Sequence, residues 1–319
     1  MSGFDLVTFG EVLIDFTNNG YSKQGNVLFE ANPGGSVTNA AAMAAKLGRS
    51  CAYIGKVGND FLGRLLENAL RECGINTDNL GFHDEIPTTL AFVHTKEGGD
   101  RDFSFYRKPG ADIMLRKEDI PAEVIRNAGF LHYASLSMTD DELFEATQFA
   151  VKLAQESGVP ISFDPNYRPP LWSLPENARE RMWYGVGHCD LLKISDDEIE
   201  FLTGISDIDR GIKAIKERSE AKLICATLGA RGSIGYYKDL RVEAPPFILP
   251  DTIETTGAGD TFTGCMIDAL LTYGFSNLNE EILMDRLLFA NAAAALITTK
   301  KGALRLMPGR EEIESLVNK

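Results

Sequence analysis

Short apolar runs alternate with longer, helix-length segments along the 319-residue chain. The short runs end in glycine or polar residues, which is typical of strands buried in the middle of a parallel sheet. They lie at residues 6–9, 51–54, 130–134, 161–164, 191–194 and 223–227. The longer segments predict a helix that ends at residue 47 and helices over 61–73, 141–156, 262–271 and 279–298. The alternation predicts an α/β fold with a mainly parallel sheet flanked by helices.

A second group of strand-like segments interrupts this alternation. The segments lie at residues 11–16, 27–31, 90–95 and 101–107. The last two flank Glu97-Gly98-Gly99-Asp100, which favours a β-hairpin over a helical crossover. We expect a small sheet apart from the main one, built from about 12–35 and 88–112, that serves as a lid. Because the chain shows no repeat or flexible linker, we predict one domain over 1–319 with this lid inserted.

The stretch from Thr255 to Thr261 is a glycine-rich loop that runs directly into the predicted helix at 262–271. Glycine permits a sharp turn, and the first turn of a helix presents amides without intrahelical acceptors. With the helix dipole, these amides would hold a phosphoryl group. Asp260 stands at the rim, where a carboxylate can orient a hydroxyl and take its proton, with a pKa that we expect the dipole to lower. An ordinary capped helix start has the same sequence pattern.

A second junction between glycines and a helix precedes the alanine-rich segment. Gly34, Gly35 and Asn39 offer uncharged donors that suit a polyhydroxyl ligand, although helix–sheet packing would use the same residues. Asp15 lies among apolar neighbours and therefore pairs with another group or binds a ligand. Arg107 ends the second strand of the predicted hairpin, where it either faces a ligand or is a solvated surface residue.

Polar residues collect where the predicted parallel strands end. Because those ends share one edge of the sheet, where α/β proteins bind ligands, they predict a single crevice. Its candidate residues are Asp164, Asn166, Arg168, Ser195, Glu198 and Gly229. Each of them alone could be a turn residue or a helix cap.

Composition narrows the classes of partner. A formal net charge of −14 and a pI of about 4.8 disfavour nucleic acid and anionic membranes, which need basic surfaces. Five cysteines without CxxC spacing indicate reduced thiols, and the four histidines lack zinc-ligand spacing. We find no membrane-length apolar run and no signal-like N-terminus. We therefore expect an unprocessed cytoplasmic protein that needs no membrane.

Six motifs in order along the chain resemble those of the ribokinase-like sugar kinases, the phosphofructokinase B group. The likeness runs nearly end to end. The motifs are residues 10–16, Gly34-Gly35 with Asn39, residues 55–60, 105–112, 163–168 and 256–260. The resemblance implies a ribokinase-like, doubly wound sheet with a small β lid, and an ATP-dependent kinase acting on the primary hydroxyl of a monosaccharide.

The resemblance also implies roles for individual residues. Asp260 would be the catalytic base, beside an anion hole formed by Gly257, Ala258 and Gly259. The residues implied to hold the sugar are Asp15, Gly34, Gly35, Asn39 and, from the lid, Arg107. Those implied on the nucleotide side are Asn166, Lys193, Ser195, Thr227, Gly229, Gly232 and Asn291. The resemblance places Arg168 on the nucleotide side, and we also predict it as a substrate-binding residue. Glu198 would organise Mg²⁺ through water.

Two positions depart from the family pattern. Ser195 stands where the family commonly has Asn, and Glu254 stands where it commonly has Asp, at a position linked to a monovalent cation. Use of K⁺ therefore stays open. Lids of this kind often pair between subunits, which implies a homodimer.

The resemblance favours the 6-hydroxyl of D-fructose as the phosphoryl acceptor, because residues 107–112 look like those of fructose-specific members. The alternative acceptor is 2-keto-3-deoxygluconate, whose carboxylate would need Arg107 or Arg168. A non-catalytic sugar sensor on the same fold is a rival of another class. A dinucleotide oxidoreductase is a weaker rival, because no GxGxxG opens a helix after the first strand. The chain also lacks GxxxxGK[ST], so it is not predicted to be a P-loop protein.

Overall fold

A computed structural model describes residues 3–95 and 101–319. The strands are β1 (Leu6–Phe9), β2 (Leu13–Tyr21), β3 (Val27–Gly34), β4 (Cys51–Gly58), β5 (Ile75–His83), β6 (Leu90–Thr95), β7 (Arg101–Tyr106), β8 (Leu131–Ala134), β9 (Ile161–Asp164), β10 (Leu191–Ser195), β11 (Leu223–Thr227), β12 (Ser233–Tyr237) and β13 (Leu240–Ala244). The helices are α1 (Ser36–Lys46), α2 (Phe61–Glu72), α3 (Ala122–Arg126), α4 (Asp141–Glu156), α5 (Pro175–Gly187), α6 (Asp196–Thr203), α7 (Ile208–Lys216), α8 (Ala258–Tyr273), α9 (Glu280–Ile297) and α10 (Arg310–Val317).

The main sheet has nine strands in the order β13-β12-β11-β10-β9-β8-β1-β4-β5. Strand β12 pairs antiparallel with both β11 and β13 near one edge, and the other neighbours pair in parallel. One apolar core joins the sheet to α1, α2, α8, α9 and α10, and a second joins it to α3 through α7. The predicted doubly wound, mainly parallel fold is confirmed. Within residues 3–95 and 101–319, none of the helices combines the length and the apolar character needed to cross a bilayer.

Three strands of the main sheet, β5, β12 and β13, were not predicted from the pattern. Strands β5 and β13 are the two edge strands, and β12 lies next to β13. In β5 and β13, buried positions are interspersed with exposed or half-exposed ones, so these strands lack the continuous apolar run of a central strand. Strand β12 is fully buried, but Ser233 and Gly235 break its apolar run.

The second sheet has four strands in the order β3-β2-β6-β7. Strands β6 and β7 form the predicted antiparallel hairpin, and β2 pairs antiparallel with β3 and parallel with β6. The turn predicted at 97–100 lies outside the described residues. Stacked and edge-to-face contacts join Phe16, Phe29, Phe92 and Tyr106 across this sheet. Because the chain leaves the main sheet after β1 and returns at α1, the small sheet borders the edge where the parallel strands end.

Candidate active site

A cavity of about 490 Å³ lies between the two sheets and the start of α8. The sequence-predicted residues that line it come from both sheets and from the starts of three helices. They are Asp15, Gly35, Asn39, Asn166, Arg168, Lys193, Ser195, Glu198, Gly257, Gly259 and Asp260. The structure therefore brings the candidate sugar-side and nucleotide-side residues to one place.

Asp260 lies in the first turn of α8. Gly257 caps this helix with a left-handed backbone, φ +76°, and a Cβ there would come within 2.5 Å of the Ala303 Cβ. The Asn39 Nδ2 donates to Asp260 Oδ2 at 2.8 Å, and the Asn166 Nδ2 donates to Oδ1 at 3.3 Å. These amides come from α1 and from the loop after β9, so two separate elements fix the orientation of the Asp260 carboxylate.

The electrostatic environment of Asp260 differs from the expectation. Burial raises its pKa to about 7, and the negative charge of Asp164 adds to the increase. The hydrogen bond from Asn39 and the charges of Lys193 and Arg168 oppose it. The prediction that the helix dipole would lower this pKa was wrong, because desolvation of the carboxylate outweighs the dipole. A carboxylate with this pKa can accept a proton near neutral pH.

Two adjacent glycines allow close packing on the other side of the cavity. A Cβ on Gly34 would lie 2.5 Å from Asp15 Oδ2 across the β2–β3 pair. Gly35 precedes α1 with φ +133°, and a Cβ there would meet the Glu11 carbonyl oxygen at 2.6 Å. The position of Gly35 therefore requires glycine, whereas a side chain in place of Gly34 would displace the Asp15 carboxylate.

Lys193 and Asp164 form a buried ion pair beside Asp260, with 3.2 Å between Nζ and Oδ1. Asp164 Oδ1 also accepts from the backbone amide of Asn166 at 3.0 Å, which fixes a residue with φ +40°. Burial lowers the pKa of Lys193, but the carboxylates of Asp164, Glu198 and Asp260 raise it above its usual value. A Cβ on Gly259 would lie 2.9 Å from Lys193 Nζ, so this fixed cation adjoins the start of α8.

Glu198 is held by amides rather than left open for a metal. Its Oε2 accepts from Ser195 N and its Oε1 from Tyr167 N, both at 2.8 Å. Burial would raise the pKa of Glu198, but the Lys193 charge and these hydrogen bonds lower it. Among the described residues no group of three or more His, Cys, Asp or Glu side chains could hold a metal ion. With both oxygens already accepting amide hydrogens, Glu198 fits contact with a cation through water better than direct coordination.

Arg107 is only 6% exposed, so it is not the solvated surface residue of the alternative, and its contact with a ligand stays a prediction. Its guanidinium pairs with the buried Asp112 carboxylate, at 2.7 Å from Nε and 2.6 Å from Nη2. It also donates to Thr139 Oγ1 at 2.7 Å and to the Leu136 carbonyl at 2.9 Å. Leu136 lines the cavity, whereas Arg107 does not. In this conformation Arg107 supports the cavity wall from behind, because a buried carboxylate binds it more strongly than an open cleft would.

Four predicted nucleotide residues lie beyond the cavity on or near the same edge. Thr227 pairs in register with Ser195, and Gly229 follows in the next turn. Gly232 has φ +92°, and a Cβ there would lie 2.2 Å from the Ala244 carbonyl oxygen. Asn291 donates to the Pro245 carbonyl at 2.9 Å and so fixes the chain after β13. In the structure these residues shape the backbone near this edge, and their contact with a nucleotide stays a proposal.

Two other predicted site residues, Gly34 and Ala258, are neighbours in sequence of lining residues but do not line the cavity themselves.

Glu11 is a cavity residue that the sequence reasoning missed. It is only 1% exposed, and it lines the cavity together with Ser36, Phe105 and Thr256. The available signal was an acid directly after the glycine that ends the first strand. The interpretation of residues 10–16 concentrated on Asp15 and left Glu11 without a role.

Comparison with known proteins shows which family this chain is similar to. The model of the pfkB family carbohydrate kinases matches residues 4–309. A probable fructokinase-2 of Arabidopsis thaliana is 38% identical over 305 residues, covering 95% of this chain and 92% of the relative. Fructokinase-1 of Zea mays is 36% identical over 98% of both chains. The crystal structure of a fructokinase from Vibrio cholerae O395 with fructose, ADP and calcium ion has a TM-score of 0.89 and 31% identity, covering 98% of this chain and 99% of that one.

Proposed function

Since the chain belongs to the pfkB family of carbohydrate kinases, we propose that it transfers the γ-phosphoryl group of ATP to the 6-hydroxyl of D-fructose. The observation that carries this proposal is Asp260, buried at the first turn of α8 and held between the amides of Asn39 and Asn166. Related proteins named as fructokinases, one of them solved with fructose and ADP, support fructose as the sugar.

The reaction follows from the position of Asp260. Its carboxylate accepts the proton of the sugar hydroxyl, the sugar oxygen forms a bond to the γ-phosphorus, and the bond to the β-phosphate oxygen breaks to release ADP. With a pKa of about 7, the carboxylate is a sufficient acceptor near neutral pH. The amides at the start of α8 and the ammonium of Lys193 stabilise the negative charge on the migrating group.

We assign the nucleotide to the cavity half that contains Lys193, Ser195 and Glu198, and the sugar to the half that contains Asp15, Gly35 and Asn39. Mg²⁺ would neutralise phosphate charge there, held by the nucleotide and, through water, by Glu198. Titration of the protein with ATP in the presence and absence of Mg²⁺ by calorimetry tests this assignment. Equal affinity for ATP without the cation would contradict it.

The small sheet is proposed to act as a lid and as a dimer interface. Its strands β2, β3 and β7 expose large apolar side chains, with Tyr21 70% and Tyr106 64% exposed and Val27, Leu28 and Phe29 also exposed. Exposed patches of this kind commonly mark contacts between proteins. Analytical ultracentrifugation of wild type and of Leu28→Asp tests the dimer, because a charge at the interface should produce monomers. All five cysteines are free thiols, which supports a reducing compartment such as the cytoplasm.

A panel of acceptors tests the proposed sugar. ADP release is measured with fructose, ribose, 2-keto-3-deoxygluconate and a nucleoside, and we expect the highest kcat/KM with fructose. The second candidate is 2-keto-3-deoxygluconate, because Arg168 lines the cavity and could bind its carboxylate. A higher kcat/KM for that acid would reverse the assignment, and sugar binding without ADP release would indicate a sensor.

A further inference from the structure

Glu11 closes the N-terminus of α1. It lies between β1 and β2, and its Oε1 accepts both the Ser36 backbone amide and the Ser36 hydroxyl at 2.6 Å. The residue that precedes the helix is Gly35, which has no side chain to serve as a cap. One oxygen of Glu11 is therefore committed to the first residue of the helix, and this fixes the orientation of the whole carboxyl group.

The other oxygen of Glu11 is placed differently. Oε2 is buried and has no hydrogen-bond partner in the part of the chain that the structure describes. Glu11 lines the same cavity as Asp15 and Asn39, on the sugar side. A buried carboxylate oxygen without a donor is costly. Because the residue that carries this oxygen lines a polar cavity, a ligand bound there is the available source of a donor.

Asp60 provides an internal comparison, because it also caps a helix with a carboxylate. Its Oδ1 accepts from the Gly63 amide at 2.7 Å, and its Oδ2 accepts from the Thr88 amide at 2.8 Å. Both oxygens of this cap are satisfied by the chain. Capping thus accounts for one oxygen of Glu11 and leaves the second one unexplained.

We propose that Glu11 is a sugar-binding residue whose Oε2 accepts a hydrogen bond from a hydroxyl of the sugar other than the one that is phosphorylated. This inference rests on the proposed function and adds a specificity determinant to it. Because α1 fixes Oε1, Oε2 has one direction, and a sugar must place a hydroxyl there to bind well. The reacting hydroxyl is excluded because it must lie against Asp260.

The test uses Glu11→Gln, which keeps an acceptor for Ser36 and the volume of the side chain but removes the charge at Oε2. We expect the KM for fructose to rise about tenfold or more, the scale of one hydrogen bond to a charged group, while the KM for ATP stays near the wild-type value. The matched control is Asp60→Asn, which alters a capping carboxylate of α2 outside the cavity. It should change neither KM.

A series of monodeoxy fructoses separates binding from capping. Wild type should bind the analogue that lacks the hydroxyl bound by Glu11 more weakly than it binds fructose. Glu11→Gln should bind that analogue and fructose about equally, so the effects of the two changes are not additive. An unchanged KM for fructose, or an equal loss with every analogue and with ATP, would overturn the inference. If wild type fails to phosphorylate fructose, the proposed function fails instead, and the same series on the sugar that it does phosphorylate tests Glu11.

Discussion

Helices α1 and α8 both begin after a glycine, but different groups bind their first amides. Each follows a glycine with positive φ, +133° at Gly35 and +76° at Gly257, and neither glycine supplies a side-chain cap. The first amide of α1 is bound by the Glu11 carboxylate of the chain itself. At α8 the Ala258 amide bonds to the Thr255 carbonyl at 3.3 Å, and the next two amides have no intrahelical acceptor. The second and third amides of α1 likewise have no intrahelical acceptor, so the two junctions differ in charge rather than in open amides. The N-terminus of α1 already carries a carboxylate, whereas that of α8 meets only a neutral carbonyl, which leaves α8 the better site for a further anion.

The largest effect is expected at the α8 junction. Asp260→Ala should lower kcat by about a hundredfold or more, because the hydroxyl loses its proton acceptor. The fold and the affinity for ATP should be retained, since Asn39 and Asn166 remain on their own elements. Steady-state rates, circular dichroism and calorimetric titration with ATP measure the three quantities. Turnover close to that of wild type would refute Asp260 as the base.

Replacing each of the two junction glycines by alanine should affect different kinetic constants. Gly257→Ala introduces a Cβ 2.5 Å from the Ala303 Cβ at a left-handed position and should lower kcat about ten- to hundredfold. Gly35→Ala introduces a Cβ 2.6 Å from the Glu11 carbonyl oxygen and should act mainly on the KM for the sugar. Gly158→Ala is the control for strain alone, because φ is +69° there and no atom lies within 4 Å. Identical effects of Gly257→Ala and Gly35→Ala on kcat and KM would contradict separate roles for the two junctions.

The sequence predicted the central strands, the hairpin and both glycine junctions, because each has a local signature in apolar period or glycine placement. It could not show that Arg107 turns toward Asp112, since that choice depends on which buried acid lies nearer in the folded chain. It also could not show that burial outweighs the helix dipole at Asp260, because desolvation is set by the packed surroundings.

The pH dependence of kcat/KM tests the two helix junctions, because the acids at both have raised pKa values. Burial is the main cause in each, opposed by Ser36 at Glu11 and by Asn39 at Asp260. A base works when deprotonated, so kcat/KM should fall as the pH drops through about 7. Asp164→Asn removes a charge that raises the pKa of Asp260, and the acid limb should move to lower pH. The control is Asp209→Asn, a surface carboxylate paired with Arg241, which should not move the limb. A limb that is unchanged in Asp164→Asn would remove Asp164 as a determinant.

Monovalent cations are expected to change kcat least of all, because the chain itself holds the loop before α8. Glu254 Oε1 accepts from the Gly302 amide at 2.9 Å, which joins this loop to the turn after α9. Because the chain itself makes this connection, exchanging K⁺ for Na⁺ at constant ionic strength should leave kcat nearly unchanged. Initial rates in potassium, sodium and choline chloride measure it. A several-fold stimulation by K⁺ would show that a cation, rather than the Glu254 hydrogen bond, orders the amides at Gly257, and the α8 junction would then depend on two ligands instead of one.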